Sequence, residues 1–434
     1  MLIHLLPRFY CTVSTSTWLD LTTTDTNIPS DEEDLFAGTE PFDKLGSAIA
    51  LNKAGTVLVV GAPNGGFERR GHVIVYEMVN NNDSSTLTDG ASISWQRRGP
   101  ELVGQDTGDE FGASVATNGD GTIVVIGAPF HGDNNSGQVR VYQYRNGLWK
   151  LLGFPMEPNH NDDDSPNILG FGASVALNDP GTILAVGSQA SENAEAAMGF
   201  VQIFALDDDD KTWKLLGNIL RGHAPGDGFG STIALNINGG TVVVGAHGRI
   251  NTESEDVGHV YMYYYNGAYH RWDPLGQLDG LRPGDAFGSA VDISYNGRIV
   301  AIGSAAAGEE TGLARVYQYN GHTGIWERVG QTLQGEAVGS QFGFSIALST
   351  NGKVVAVGAH NHNQKVGQVQ VFTYNPASVQ WEPLGSAVTG TSVGDNMGVA
   401  VALSGNGKTL ATGVLVDNDA GKDAGRVHVW KYIP

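Results

Sequence analysis

Carboxylates recur in this chain at one fixed place. Asp43, Asp109, Asp227, Asp285 and Asp395 each stand two residues ahead of an apolar residue followed by glycine, and Leu169 and Ser340 hold that place in two further copies. Two chemistries suit such an aspartate. It can accept backbone N–H bonds and cap its own glycine turn, or, with its four companions, it can gather a cation or a basic group of a partner. Recurrence favours the cap, because a structural need returns with every copy. Imidazoles form a second set: His247 and His360 occupy matching positions two copies apart, with His131 and His362 nearby in sequence. Neutral imidazoles on one face can bind zinc, but neither residue has a carboxylate or second His at a short helical spacing, so no metal site is predicted.

Acidic runs make the third set: Asp133-Asn134-Asn135, Asp162-Asp163-Asp164, Glu253 to Asp256, Glu309-Glu310 and Asp417 to Asp423. The pattern places these runs in connections, where a rigid scaffold usually carries its binding residues, and Asp133 joins the five aspartates, His247 and His360 as candidate binding residues. Asp207–Asp210 falls in a strand turn at the rim and reads as inert. No nucleophile elbow, phosphate loop or zinc-protease motif occurs. Acidic pairs are too plentiful to single out a glycosidase pair. No catalytic residue, metal ligand or cofactor is therefore assigned.

A seven-fold pattern positions these side chains. Its steps are Leu45-Gly46, Phe111-Gly112, Phe171-Gly172, Phe229-Gly230, Phe287-Gly288, Phe342-Gly343 and Met397-Gly398, with glycines 66, 60, 58, 58, 55 and 55 residues apart. Each copy continues with a short apolar strand, an Asn/Ser-to-Gly turn, a continuous apolar strand, Gly-x-Val-x-Val-Tyr and Trp-x-x-Leu-Gly. Four short strands per copy make one propeller blade, a sheet that cannot cover both faces alone. The expected fold is all-β: a seven-bladed β-propeller of four-stranded antiparallel blades.

The second copy predicts strands at Ala113–Thr117, Thr122–Gly127, around Gln138–Tyr142, and from Trp149. The turns Asn52–Gly55, Asn118–Gly121, Asn178–Gly181, Asn236–Gly239, Ser294–Gly297, Ser349–Gly352 and Ser404–Gly407 each end in glycine, as a left-handed hairpin residue requires. Seven of the eight tryptophans take the fourth-strand place: Trp18, Trp95, Trp149, Trp213, Trp272, Trp326 and Trp381. Trp18 precedes the first step, while the last copy ends at Val427–Tyr432 without a Trp-x-x-Leu-Gly. The N-terminal strand should thus complete the last blade and remove an open sheet edge. This divides the chain into an extension over residues 1–17 and one propeller domain over 18–434.

Composition narrows the partners. The 434 residues include 61 glycines, 25 basic and 46 acidic side chains, for a formal charge of −21. Such a surface repels phosphate backbones and anionic lipid, so nucleic acid is excluded. Membrane insertion is excluded too, as no apolar run approaches the ~18 residues of a span. Cys11 is the lone cysteine, so no intramolecular disulfide is available. The stretch Met1 to Val13 is too short and interrupted to read as a signal peptide. Asn82-Asp83-Ser84 and Asn134-Asn135-Ser136 match the glycosylation pattern at a frequency near chance.

Phe111-Gly112 followed by Gly127-Ala128-Pro129 resembles the FG-GAP repeat, the blade of the integrin α-subunit propeller and of many microbial and algal surface proteins. The likeness extends over roughly residues 40–434. Gly-Ala-Pro recurs at Gly61-Ala62-Pro63; elsewhere it becomes Gly187-Ser188, Gly245-Ala246-His247, Gly303-Ser304, Gly358-Ala359-His360 and Gly413-Val414. Trp-x-x-Leu-Gly before Gly-Asp-x-Phe-Gly is also similar to tandem arrays of large adhesin-type proteins. The resemblance implies cell adhesion, protein–protein interaction or carbohydrate binding, at a cell surface, outside the cell or in an organelle lumen. Calcium-binding relatives carry alternating Asp in the first hairpin to supply six to eight oxygens. These hairpins are too short and carboxylate-poor for that, so the family's calcium sites are not carried over. The expectation is a non-catalytic binding or scaffold propeller that recognises protein or glycan through its loop-rich acidic face. A polysaccharide-acting hydrolase or lyase, and a structural subunit of a larger assembly, are the rivals.

Overall fold

The computed structural model describes residues 16–22, 35–38, 40–80, 93–132, 135–158, 169–188, 199–224, 226–248, 257–416 and 423–434. Cys11, Asp133, the 162–164 and 253–256 acidic runs and most of the 417–423 run lie outside them, as do residues 82–84 and Asn134. The strands build seven antiparallel blades of four strands each. The first strands are Ala48–Leu51, Ser114–Thr117, Phe171–Leu177, Phe229–Leu235, Phe287–Ile293, Ser345–Leu348 and Val401–Leu403, in blades 1 to 7. They touch one another in cyclic order, blade 7 returning to blade 1. The second strands of blades 1, 2 and 7, Val57–Ala62, Ile123–Ala128 and Thr409–Val414, are buried along their whole length, and the other four are buried in all but their first residue. A sheet covered by a neighbour on each face needs that unbroken apolarity.

Closure comes from the N-terminal strand. Thr17–Asp20 pairs antiparallel with Arg426–Ile433, placing Trp18 opposite Tyr432. It begins one residue before the boundary read from sequence. Asp20 then clamps the join: its carboxylate accepts the Thr22 amide at 2.8 Å and lies 3.0 Å from His428 Nδ1. Burial pushes this carboxyl up, but the bonds from His428 and Thr22 outweigh it and hold it below the usual range.

Three repeated contacts explain the repeated residues. A methyl group on the next-to-last residue of each second strand, a glycine, would overlap the carbonyl oxygen of the next blade's step glycine. These pairs are Gly61/Gly112, Gly127/Gly172, Gly187/Gly230, Gly245/Gly288, Gly303/Gly343, Gly358/Gly398 and, across the closure, Gly413/Gly46. The blades therefore meet backbone to backbone, which only glycine permits. That glycine persists where the following Ala-Pro has drifted. The second contact is the tryptophan. Trp149, Trp213, Trp272 and Trp381 donate their indole N–H to Arg98, Leu152, Leu216 and Val329 carbonyls of the preceding blade at 2.7–3.1 Å, and Trp18 does so to Leu384 at 2.8 Å. The third is the hairpin. Asn52, Asn118, Asn178 and Asn236 accept amides of the returning strand through Oδ1, and Ser294, Ser349 and Ser404 do so through Oγ.

At the hairpin end the first strands surround the axis. Leu51, Thr117, Leu177, Leu235, Ile293, Leu348 and Leu403 line its mouth, one from each blade, around a depression of about 220 Å³. Above them, amides bond from blade to blade: Gly119 to Asp179, Asp179 to Ile237, Ile237 to Tyr295, Tyr295 to Thr350, Thr350 to Gly405, and Gly405 to Lys53. Lys53 crosses the opening to Asp179 at 3.2 Å and to the Tyr295 ring.

Candidate functional site

The opposite end of the ring gathers the connections that lead into each step and those that follow each second strand. The five recurring aspartates lie there, all buried, with Asp43 1% and Asp285 7% exposed as the extremes. Each carboxylate serves its own turn. Asp43 accepts the Glu40 amide at 2.9 Å and Asp109 the Asp106 amide at 3.2 Å. Asp227 accepts His223, Ala224 and Phe229 amides at 2.9, 3.2 and 2.9 Å. Asp395 takes Thr391 and Ser392 amides, both at 2.8 Å, and the Thr391 hydroxyl. Asp285 accepts from the backbone at Arg282; burial pushes its carboxyl up despite Arg315 and Arg282 beside it. Where the copy has Ser340, the hydroxyl donates to the Thr311 carbonyl at 2.8 Å; at Leu169 the carbonyl accepts Ser188 Oγ. None of these bonds joins one aspartate to another.

The two histidines of matching position are not brought together. His247 packs its ring over Gly228, with Nδ1 2.9 Å from the Gly248 carbonyl. His360 stacks against Phe344 with ring centroids 4.0 Å apart, and burial, reinforced by Lys365, pushes it down to about 4. His131 differs from both. Its Nδ1 lies 2.8 Å from Asp109 Oδ2 and 3.9 Å from Asp106 Oδ2, and the three residues' ligating atoms lie within 4.8 Å of one another. Sequence reading named His131 only as a neighbour and passed over Asp106. The signal was present as Asp-x-x-Asp ahead of the step with His four residues beyond Gly127, but it needs the fold to bring the two segments together.

Exposed apolar side chains sit among these turns. Leu281 is 70% exposed, Val338 70% and Val393 64%, all in the tight turn ahead of the step in blades 5, 6 and 7. Phe42 and Phe130 are exposed on the same end of blades 1 and 2. The rim offers a different surface. A groove of about 580 Å³ between blades 5 and 6 is lined by Tyr319, Tyr374, Asn320, Glu327 and Arg328. In the rim turn that reads as inert, Asp207 and Asp210 pair with Lys214.

One further carboxylate was missed altogether. Asp292 stands in the first strand of blade 5, where blades 1, 2, 3, 4, 6 and 7 have Ala50, Ala116, Ala176, Ala234, Ala347 and Ala402. It accepts the Leu348 amide of blade 6 at 2.6 Å and its neighbour Ile293's at 2.7 Å. Burial pushes its carboxyl up to about 6.

This architecture defines the class: a seven-bladed propeller built from one inter-blade glycine contact repeated around the ring. Residues 104–142, which span the second blade from its Asp turn to its third strand, match the family model of the FG-GAP repeat. Among solved structures, the chain is similar to the periplasmic gluconolactonase PpgL of Pseudomonas aeruginosa, at 16% identity and a TM-score of 0.51, over 80% of this chain and 88% of that one. At that identity the likeness is one of fold. No curated protein sequence matches the chain.

Proposed function

We propose that this chain is a binding propeller that works without turnover and recognises a partner protein through its loop end. The observation that supports it most is the arc of exposed Leu281, Val338 and Val393 on successive blades. Apolar residues rimmed by polar ones on a rigid surface suit docking. Each recurring carboxylate accepts amides of its own turn, which supports a capping task for them and partner recognition by the side chains around them. Acidic groups on that end add long-range attraction for basic partners, so association should weaken as salt rises past ~0.15 M, where screening acts within ~8 Å.

A glycan reading is favoured by one feature, the Tyr319 and Tyr374 groove between blades 5 and 6, since aromatic faces stack on the apolar faces of sugars. The discriminating experiment is a protein and glycan interaction screen, run beside assays for polysaccharide breakdown and for opening of a sugar lactone. The proposal expects a protein partner lost in the L281S/V338S/V393S variant, with no product in either assay. Reproducible product release would replace it with an enzyme. Glycan binding lost on Tyr374→Ala would move the site to the rim.

A further inference from the structure

We propose that Asp106, Asp109 and His131 form a binding site for a divalent transition-metal ion of the zinc type. The donor set is right for one: an imidazole nitrogen and two carboxylate oxygens, three protein ligands that leave a coordination position open to water or to a partner's side chain. Donors 2.0–2.2 Å from a tetrahedral ion lie about 3.4 Å apart. His131 Nδ1 already lies 2.8 Å from Asp109 and 3.9 Å from Asp106. Two of the three are held in place, because Asp109 is 4% exposed and fixed by its turn, and His131 is largely buried against it. Asp106 has a side chain 73% exposed, so it can swing onto an ion without breaking a packed contact.

Repetition separates this cluster from the turns around it. The capping aspartate recurs in five blades, as a structural need does. The three ligands coincide only in blade 2: the place of Asp106 is Glu40, Ala224, Arg282, Ala337 and Ser392 in blades 1, 4, 5, 6 and 7, and that of His131 is Gly65 in blade 1 and Ala307 in blade 5. Blade 6 has His362 at the matching place but Ser340 instead of an aspartate. The fold does not require the trio, since other blades form the same turn without it. Charge points the same way. Among the described residues, neither carboxylate is paired with Lys or Arg, and with a neutral imidazole the pair carries two negative charges for a dication to neutralise. A nitrogen donor disfavours calcium, which takes oxygen ligands.

The test is calorimetric titration of the full chain with zinc chloride, with cobalt chloride as a visible-absorption probe. The expected result is one saturable ion per chain, weakened about tenfold or more by Asp106→Asn and by His131→Asn. His259→Asn should leave the affinity unchanged, because His259 lies in blade 4, where it meets Asp279 at 2.7 Å and not the blade 2 pair. Circular dichroism confirms that each variant is folded; should His131→Asn not fold, Asp106→Asn still decides, as its side chain is exposed. Absence of a saturable site, binding that survives Asp106→Asn, an equal loss in His259→Asn, or calcium displacing zinc at equal concentration would each overturn the proposal.

Discussion

The two ends of this ring treat repetition in opposite ways. At the hairpin end each blade contributes the same things: an Asn or Ser that accepts the returning strand's amides, a residue to the ring around the axis, and backbone groups for the belt that runs from Gly119 to Lys53. At the loop end one motif repeats, the capping Asp, and everything around it varies: an exposed Val or Leu in blades 5 to 7, a histidine facing two carboxylates in blade 2. In a molecule made of copies, what recurs holds the ring together and what occurs once is free to serve something else.

The largest loss should come from the recurring glycine contact. Gly127→Ala drives a methyl into the Gly172 carbonyl, and since both are backbone atoms of packed blades, the cost should exceed about 4 kcal/mol. Thermal unfolding should show a chain that no longer melts cooperatively or melts far earlier. Trp18→Ala comes next. It removes an indole that is 6% exposed and its bond to Leu384, at about 3–5 kcal/mol. A variant melting like the parent would mean the ring does not depend on that strand for closure.

Smaller effects grade the capping aspartates. Asp395 accepts three bonds and Asp43 one described bond, so Asp395→Ala should cost about 2–3 kcal/mol and Asp43→Ala about 1. Equal costs in denaturant melts would break the capping account. Asp292 should behave in reverse. Its folded carboxyl titrates near 6, above the 3.8 of the free group, so the native state holds a proton that the unfolded chain gives up first. Stability from this group therefore falls as pH rises from about 4 to about 6 and stays low above. Asp292→Asn should raise the melting temperature at pH 7.5 and leave it unchanged at pH 3.5. Least of all, Lys53→Met should cost under about 1 kcal/mol, since the Lys53–Asp179 pair is partly exposed at the mouth.

The sequence made the recurring parts readable because each was written seven times. Strand order, the Asn-to-Gly hairpins and the closing role of Trp18 follow from the pattern alone, and the structure carries them. Strand bounds differ by a residue, as at Ser114 instead of Ala113, where the first pair of the ladder is Ser114 with Gly127. What each repeated residue does was harder to read. That a glycine stands next to last in the second strand to let the next blade's carbonyl approach, and that the indole bonds back to the blade before it, are contacts between residues 40–61 positions apart, and more than 360 apart across the closure. The single features were least legible. Asp292 hides in a strand of otherwise alanine-bearing copies, and Asp106 meets His131 only when the two ends of blade 2's inner hairpin fold back together.

Whether the exposed apolar side chains of the loop-end turns in blades 5 to 7 carry recognition is open to one direct measurement. The measurement is the affinity of the partner found by screening, for the parent, for L281S/V338S/V393S and for Lys53→Met at the hairpin end, each checked by its melting temperature. The account predicts a tenfold or greater loss for the loop-end variant with an unchanged melt, and none for Lys53→Met. Affinity kept by the loop-end variant and lost at the hairpin end would contradict it.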